Sequence, residues 1–447
     1  MLERHRGGEE YIAEVVDFGM NGEGIIKLDN YPVFVNNAIK GEKIKVRLTY
    51  TKKDYAFGEL LEIIEPSPDR VKPICPYYTK CGGCDMQHIS YERQLEIKRL
   101  HIERTLKKNA GLEIEVPTPI SKNQWKYRNK LALPFGNRGD RVVLGLYEKQ
   151  THKVVPMKFC PLHDDWASNV IRIITEWANE NNISIYDELA LEGFLRHLVV
   201  RKLDRLEIVI VGNGDELLNR AELILKLKQE LGDYALYFSP NKERGNVILG
   251  NTVEFISGNQ SAQDIAGLKV KLSPLSFLQV NLDVMKELYD DVARHLDGYK
   301  GDVVELFSGV GILTASLAKR MPRTFFKAVE IVPEAVQDAK QIMHGAGLEN
   351  RVECICEDAG KYMEELAISQ KKNVLVLDPP RKGIDERVVE KALLARFDKI
   401  VYISCNPATL GRDLKALQDI YKVEYIQPYD MFPQTMHVET LVILSIK

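Results

Sequence analysis

The sequence lacks long hydrophobic segments. No run approaches the roughly 18 apolar residues that a membrane-spanning helix requires. The opening residues, MLERHRGGEE, contain no apolar stretch of the kind that a secretory signal carries. Hydrophobic residues make up 45% and charged residues 28% of the chain, the balance of an ordinary globular protein. We therefore expect a cytoplasmic protein without a membrane partner.

An excess of charge of one sign is also missing. The net charge of −3 neither favours nor excludes a polyanionic partner. Residues 122–158 differ from the rest because they hold nine basic residues against two acidic ones. Four aromatic residues are interleaved with these cations, namely Trp125, Tyr127, Phe135 and Tyr147. Cations for phosphates and flat rings for unstacked bases suit single-stranded nucleic acid, although an exposed, charged β-region would have the same composition.

The length of 447 residues exceeds what one hydrophobic core supports, so two or three domains are expected. Five short apolar segments punctuated by glycine and asparagine fill residues 1–65 and predict a closed barrel of the OB kind. These segments are 11–18, 22–28, 31–35, 42–50 and 55–64. Barrels of this kind often bind oligonucleotides, so we expect this domain to bind RNA.

A linker and a middle domain follow the barrel. Residues 65–73, EPSPDRVKP, have the composition of a linker. Residues 73–270 mix strand-like and helix-like segments and predict an α+β domain. The helical spacing of residues 91–112 ends at Gly111, a favourable C-cap. This helix is a candidate to pack on the last domain rather than on the middle one.

Residues 271–447 alternate regularly between apolar strand-like runs and helical segments. The strand-like runs are 302–307, 325–330, 352–356, 373–377 and 399–404. This alternation predicts an α/β fold, a Rossmann-like doubly wound parallel sheet. Two final strands have no helix between them, which predicts an antiparallel pair at the end of the chain.

A glycine turn marks a candidate cofactor pocket in this sheet. In VVELFSGVGILTASLA (303–318), Gly309 and Gly311 allow a tight turn between strand and helix. Thr314 stands where a dinucleotide fingerprint has its third glycine. Glu330 ends the next strand, where a carboxylate can accept the hydroxyls of a ribose.

Carboxylates also follow the third and fourth strands, at Asp358 and Asp378. Such residues line the crevice in which open α/β sheets bind ligands. A pocket that contains several carboxylates, and whose turn lacks a third glycine, suits a nucleoside with a positive charge better than it suits a pyrophosphate. The pattern therefore favours S-adenosylmethionine, with another nucleotide as the alternative.

Four cysteines have the arrangement of a metal site. Cys75, Cys81 and Cys84 are spaced C-x5-C-x2-C, and Cys160 supplies a distant fourth thiol. Disulfides are not expected in the cytosol. Four thiols suit an iron–sulfur cluster or a structural zinc ion, and their spacing leaves both open.

Five motifs, in this order, resemble those of the bacterial RNA (uracil-5-)-methyltransferases, and within them the 23S ribosomal RNA branch. The motifs are SFLQVN (276–281), ELFSGVG, LDPPRKG, SCNPATL and HVETLVIL. The resemblance covers nearly the whole chain, with a TRAM-like barrel, a cysteine-bearing middle domain and a methyltransferase domain. It implies S-adenosylmethionine as methyl donor and a [4Fe–4S] cluster on the four cysteines.

The same resemblance implies roles for individual residues. Uracil C5 is a poor nucleophile, and a thiolate that adds to C6 makes C5 able to attack a methyl group. Cys405 matches the nucleophile of the family, and Glu439 matches the base that removes the C5 proton. The implied cofactor contacts are Gln279, Phe307, Glu330, Asp358 and Asp378.

We therefore expect a monomer that methylates an extruded uridine in a folded loop of 23S ribosomal RNA. A transfer RNA enzyme is the first alternative, disfavoured because that branch lacks the barrel and the cysteines. An iron–sulfur RNA-binding protein without this catalysis is the second. An amine methyltransferase is disfavoured because Arg381, rather than an aromatic residue, follows DPP.

Overall fold

The structure is a computed structural model that describes residues 6–265, 267–366 and 373–447. The first five residues of the predicted barrel domain and residue 266 of the predicted middle domain lie outside the described residues. Across the described ranges, no helix combines the length and the apolar character needed to cross a membrane.

The N-terminal strands form a closed six-stranded barrel. They are β1 (Glu10–Glu14), β2 (Asp17–Phe18), β3 (Gly24–Leu28), β4 (Tyr31–Val35), β5 (Lys43–Thr51) and β6 (Ala56–Glu65). The order is β1-β5-β6-β4-β3-β2. The predicted strand 11–18 is split because the chain bends in the middle of it: Val15 bonds to Glu42 on one side, and Val16 bonds to Ile25 on the other. This bend closes the barrel.

The middle region is built on a seven-stranded sheet of order β13-β12-β11-β10-β7-β8-β9. Its strands are β7 (Lys130–Arg138), β8 (Arg141–Tyr147), β9 (Val154–Pro156), β10 (Leu195–Lys202), β11 (Leu206–Gly212), β12 (Tyr234–Pro240) and β13 (Glu254–Gly258). Helices α2 (Trp166–Glu180) and α3 (Arg220–Glu230) are part of this region, and β14 (Gln263–Ile265) and β15 (Leu268–Val270) form a separate hairpin. The helix α2 buries one apolar face, with Trp177 fully enclosed.

Helix α1 (Tyr91–Ala110) lies in sequence between the barrel and the middle sheet but packs on the last domain. The buried amine of Lys98 lies 2.5 Å from the buried carboxylate of Asp430, which also accepts a hydrogen bond from Tyr91. The helix ends at Gly111, whose φ of 69° is the left-handed C-cap expected from the sequence. Because a lone buried charge is costly, this pair ties α1 firmly in place.

The last domain has the predicted doubly wound sheet. Its strands are β16 (Asp302–Leu306), β17 (Phe326–Glu330), β18 (Val352–Cys356), β19 (Asn373–Leu377), β20 (Lys399–Ser404), β21 (Tyr421–Tyr429) and β22 (Glu439–Ile446). Its helices are α4 (Leu282–Leu296), α5 (Ile312–Arg320), α6 (Pro333–Gly345), α7 (Ala359–Leu366), α8 (Glu386–Ala395) and α9 (Pro407–Leu417). The order is β18-β17-β16-β19-β20-β22-β21, with β22 antiparallel to both of its neighbours. The order reverses between β16 and β19, the place where such sheets bind ligands.

Candidate active site

Six neighbouring strands bring the predicted site residues to one edge of the sheet. Phe307, Asp378 and Cys405 directly follow parallel strands, Asp358 lies two residues after another, and Glu330 ends a fifth. Glu439 begins β22, and because β22 runs antiparallel to β20, its start lies at this same edge. Ser404 pairs with Thr440 across these strands, so Cys405 and Glu439 occupy the next position on each side.

The glycine turn after β16 forms one side of the site. Phe307 has a φ of 62°, a left-handed conformation that is uncommon for a residue with a side chain. Gly311 has a φ of 73°, and a Cβ there would lie 2.9 Å from the Cε atom of Met343. The left-handed backbone is therefore what favours glycine at position 311, because the Cε atom of Met343 ends a flexible side chain that can move aside. Uncommon backbone conformations of this kind cluster at ligand-binding sites.

Glu330 is held against this turn. One of its carboxylate oxygens accepts a hydrogen bond from the backbone nitrogen of Gly309 at 3.0 Å, and the other accepts one from Val332 at 2.9 Å. These two bonds fix the half-buried carboxylate beside the glycine turn. That is the position in which an acidic residue suits the hydroxyls of a ribose.

Glu305, on β16, is a buried carboxyl group that the sequence analysis missed. It is 3% exposed, and burial raises its pKa to about 8. Thr314 donates a hydrogen bond to it, which gives a structural reason for threonine where a dinucleotide fingerprint has glycine. A polar group buried without such a partner would be costly. A lone glutamate within the apolar run VVELF was the signal that could have identified it.

Cys405 is presented by a short turn between β20 and α9. The side-chain oxygen of Asn406 caps the helix by accepting a hydrogen bond from Ala408 at 3.0 Å. The side-chain nitrogen of Asn406 donates to the backbone oxygen of Arg381, also at 3.0 Å. Pro407 occupies the first helical position, where its fixed φ is favourable. The Asn-Pro pair therefore ends the strand, starts the helix and leaves the thiol half-buried at the edge of the sheet.

Burial shifts the ionisation of the thiol and of the two nearby carboxyl groups. Glu439 is 4% exposed, and burial, with the charge of Asp378, raises its pKa to about 8. Burial also raises the pKa of Asp378 to about 7. The pKa of Cys405 rises to about 11 through burial and then through the charge of Glu439. In the free protein near neutral pH, the thiol is therefore protonated and so is most of Glu439.

Arg381 is the cation of this cluster, and the sequence analysis assigned it no role. Burial raises the pKa of both Cys405 and Glu439, and the charge of Arg381 opposes that rise. One of its guanidinium nitrogens lies 3.0 Å from Nε2 of His437. Its backbone oxygen accepts the hydrogen bond from Asn406. Arg381 thus connects the loop that carries the thiol with the loop that carries Glu439.

Two further predicted cofactor residues have defined surroundings. Gln279 is half-buried before α4, and its backbone oxygen accepts a hydrogen bond from the side chain of Asn129 at 3.0 Å. Asp358 accepts one from the backbone of Lys361 at 3.1 Å and one from Arg387 at 3.2 Å. No pattern in the sequence indicates Arg387 as a partner of Asp358. Binding roles for both predicted residues remain predictions.

The four cysteines of the middle region line one cavity, together with Arg128. Among the described residues, no group of three or more histidine, cysteine, aspartate or glutamate side chains is arranged to hold a metal ion. The backbone nitrogen of Gly83 donates a hydrogen bond to the Cys81 sulfur at 3.4 Å. A Cβ on Gly83 would lie 2.9 Å from Leu146, so the CGGC turn closes tightly against β8.

Two of the four interleaved aromatic residues of 122–158 are not available to an RNA-binding strip. Tyr127 and Phe135 are 9% and 5% exposed and pack into hydrophobic clusters, so their faces are not available to bases. Lys126 forms an ion pair with Asp164 at 2.9 Å. The prediction of a stacking platform is wrong for these side chains because the middle sheet and the wall of the cysteine cavity bury them.

Comparisons with known proteins agree with this geometry. The profile of the family described as tRNA (Uracil-5-)-methyltransferase matches residues 266–447, and that of the TRAM domain matches residues 4–61. A protein named uncharacterized RNA methyltransferase from Clostridium tetani is 37% identical, over 97% of this chain and 96% of its own. Another from Halalkalibacterium halodurans is 36% identical, over 97% and 96%. The chain belongs to the RNA (uracil-5-)-methyltransferase family.

A solved structure of the family matches this methyltransferase along its whole length. It is the Pyrococcus abyssi tRNA (uracil-54, C5)-methyltransferase in complex with S-adenosyl-L-homocysteine. The TM-score is 0.79 and the identity 26%, over 97% of this chain and 99% of that one. The predicted fold, an α/β methyltransferase domain behind a TRAM barrel, is confirmed, and so is S-adenosylmethionine as methyl donor.

The same comparison corrects one step of the sequence argument. The barrel and the cysteine cluster are the two features used above to separate ribosomal RNA enzymes from transfer RNA enzymes. The Pyrococcus protein is named for transfer RNA, yet its alignment covers 97% of this chain and so includes the barrel. The presence of the barrel therefore does not discriminate between the two classes of RNA.

Proposed function

We propose that the protein methylates C5 of a uridine in 23S ribosomal RNA through a covalent bond between Cys405 and C6 of the base. The observation that carries the proposal is the convergence of Cys405, Glu439 and Arg381 at the ligand-binding edge of a methyltransferase sheet. An enzyme that methylates an exocyclic amine has no use for a thiol at this point.

The proposed reaction begins when the Cys405 thiol releases its proton to solvent and the thiolate adds to C6, which pushes the electrons of the C5–C6 double bond towards C5. C5 then attacks the methyl carbon of S-adenosylmethionine, and the sulfonium sulfur leaves with its bonding electrons. Glu439, having released its own proton to solvent, removes as a carboxylate the proton that C5 still carries. The electrons of that C–H bond restore the double bond and expel the thiolate, so one proton is released per methyl group transferred.

The ionisation of the cluster supports this order of events. A pKa near 8 keeps Glu439 mostly neutral in the free enzyme, which removes its repulsion of a thiolate. The charge of Arg381 then favours the thiolate against burial and the charge of Asp378. A base with a pKa close to the working pH is also well suited to proton removal.

A [4Fe–4S] cluster on the four cysteines is proposed from the resemblance of the motifs, and zinc stays the alternative. The support from the structure is that the four thiols line one shared cavity and that the Gly83 nitrogen donates a hydrogen bond to the Cys81 sulfur. Cys75, Cys81, Cys84 and Cys160 would hold the cluster. When bound, it would tie the segment of residues 75–84 to Cys160.

The choice of 23S ribosomal RNA rests on the resemblance of the five motifs to the ribosomal branch. Transfer RNA is the second candidate, favoured by the alignment with the Pyrococcus enzyme over 97% of the chain. Incubation of the purified protein with labelled S-adenosylmethionine and either unmodified 23S ribosomal RNA or unmodified transfer RNA separates the two. Label in 5-methyluridine of transfer RNA alone would overturn the ribosomal assignment.

The covalent step is tested with RNA that contains 5-fluorouridine. Fluorine cannot leave C5 as a proton does, so the methylated base should stay attached to the protein. We expect a protein–RNA band that survives denaturation with the native enzyme and no such band with Cys405→Ala. A band of equal yield with Cys405→Ala would refute the assignment of the nucleophile.

A further inference from the structure

A cleft lies between the barrel and helix α1. The barrel side consists of residues 17–20 and Lys40, and the helix side is the face of α1 between Arg93 and Asn109. Ala408 and Met436 of the methyltransferase domain also line it. Its volume of about 280 Å³ is near the lower limit of about 300 Å³ for small-ligand sites. This is room for a base or a stretch of one strand rather than for a duplex.

The charge of the cleft suits a polyanion. Its lining contains Lys40, Arg93, Arg104 and Lys108, and Asp17 is its only acidic member among the described residues. Asp17 forms an ion pair with Arg104 at 2.6 Å. Four cations against one carboxylate leave the lining positive, although the charge of Asp17 acts on the exposed Lys40 as well as on Arg104.

The lining also offers apolar surface beside these cations. Arg93 lies over the ring of Phe18, with the guanidinium carbon 5.9 Å from the ring centre. Met20 next to it is 66% exposed. Apolar side chains and rings among cations are the features that hold an unstacked base and its phosphates together.

The cleft adjoins both loops of the candidate active site. Ala408 is three residues after Cys405, and Met436 is three residues before Glu439. Three residues span at most about 11 Å of extended chain. A strand of RNA whose uridine contacts Cys405 can therefore reach the cleft with the nucleotides directly next to that uridine.

We propose that this cleft is a subsite for the RNA nucleotides that flank the target uridine. Lys40 and Lys108 contact their phosphates, and the surface around Phe18 and Met20 holds an unstacked base. This inference rests on the proposed function and adds a place where the barrel and α1 together contribute to substrate selection. It replaces the interleaved aromatic residues of 122–158 as the expected site of base stacking.

The test compares the double variant Lys40→Ala/Lys108→Ala with a control double variant, Lys228→Ala/Lys340→Ala. The control removes the same charge from exposed lysines of α3 and α6 that do not line the cleft. The affinity of each protein for an RNA hairpin that the native enzyme methylates is measured between 50 and 200 mM salt. Binding of S-adenosylhomocysteine reports whether each variant is folded.

We expect the cleft variant to lose two phosphate contacts, and each contact contributes about 0.7 to the slope of log affinity against log salt for a single strand. Over this salt range the native enzyme should then lose about sevenfold more affinity than the cleft variant. KM should rise and kcat should stay within twofold of the native value. A salt slope and KM equal to those of the control would overturn the subsite. Absence of 5-methyluridine with the native enzyme would instead refute the proposed function.

Discussion

Glu439 should destabilise the free protein at alkaline pH. Its carboxyl group is 4% exposed, and burial raises its pKa from the ordinary 4.5 to about 8. The folded protein therefore keeps a proton that the unfolded chain releases above pH 4.5. Stability contributed by the neutral form is complete below pH 4.5 and is lost as the pH rises through 8.

Replacement of Glu439 by glutamine removes this loss because an amide does not ionise. One pKa unit corresponds to about 1.4 kcal/mol. Above pH 8, the ionisation of Glu439 therefore lowers the free energy of unfolding of the native protein by up to about 5 kcal/mol. The variant should be more stable by about 1 kcal/mol at pH 5.5 and by about 5 kcal/mol at pH 9. The gain of roughly 4 kcal/mol between these pH values is an upper limit, since water that enters the site would reduce it.

Thermal unfolding at pH 5.5 and pH 9, without substrates, measures this difference. For a domain of 150–250 residues, 1 kcal/mol shifts Tm by about 2–4 °C, so the Tm advantage of Glu439→Gln should grow by several degrees over this range. Glu424→Gln is the matched control, because Glu424 is 43% exposed on neighbouring β21. A Tm difference that does not change between the two pH values would show that Glu439 is ionised throughout, and the reasoning would fail.

Three further outcomes follow from the same contacts. Arg381→Met should slow adduct formation and shift the midpoint of its pH–rate profile to higher pH, while the affinity for S-adenosylhomocysteine stays unchanged. An unaltered pH profile would show that Arg381 does not help to activate the thiol. Lys98→Met should lower the free energy of unfolding by about 3–5 kcal/mol because it leaves Asp430 buried without its cation, and Asp430→Asn in addition should recover part of it. Gly83→Ala should reduce the iron content after reconstitution, measured against Gly345→Ala, since a Cβ at Gly345 meets no atom within 4 Å and its backbone is not left-handed.

Much of the fold could be predicted because its signals are local. The five parallel strands of the last domain lie within a residue or so of their predicted bounds, since each is a short apolar run between turn residues. The split of strand 11–18 escaped prediction because it depends on which neighbours Val15 and Val16 find in the closed barrel.

The candidate site was predictable to the extent that its residues mark strand ends. Cys405, Glu330 and Asp378 could be found in this way, because parallel strands gather their ends at one edge. Arg381 could not, since its importance lies in a contact with His437, 56 positions away. The exposure of aromatic side chains could not be predicted either. A buried tyrosine such as Tyr127 looks the same in the sequence as an exposed one, and only the packing of the middle region buries Tyr127.

The clustering of three groups with raised pKa values has a chemical consequence of its own. If Glu439 and Asp378 were both ionised in the free enzyme, their charges would oppose the Cys405 thiolate and Arg381 alone could not compensate for burial. If Glu439 could never ionise, the proposed reaction would have no base for the C5 proton. A pKa near 8 suits both steps of that proposal, because Glu439 can be neutral while the thiolate forms and anionic when the proton must leave. In the proposed reaction, the burial that destabilises the free protein at high pH is thus the same property that lets one site hold first a thiolate and then a carboxylate base.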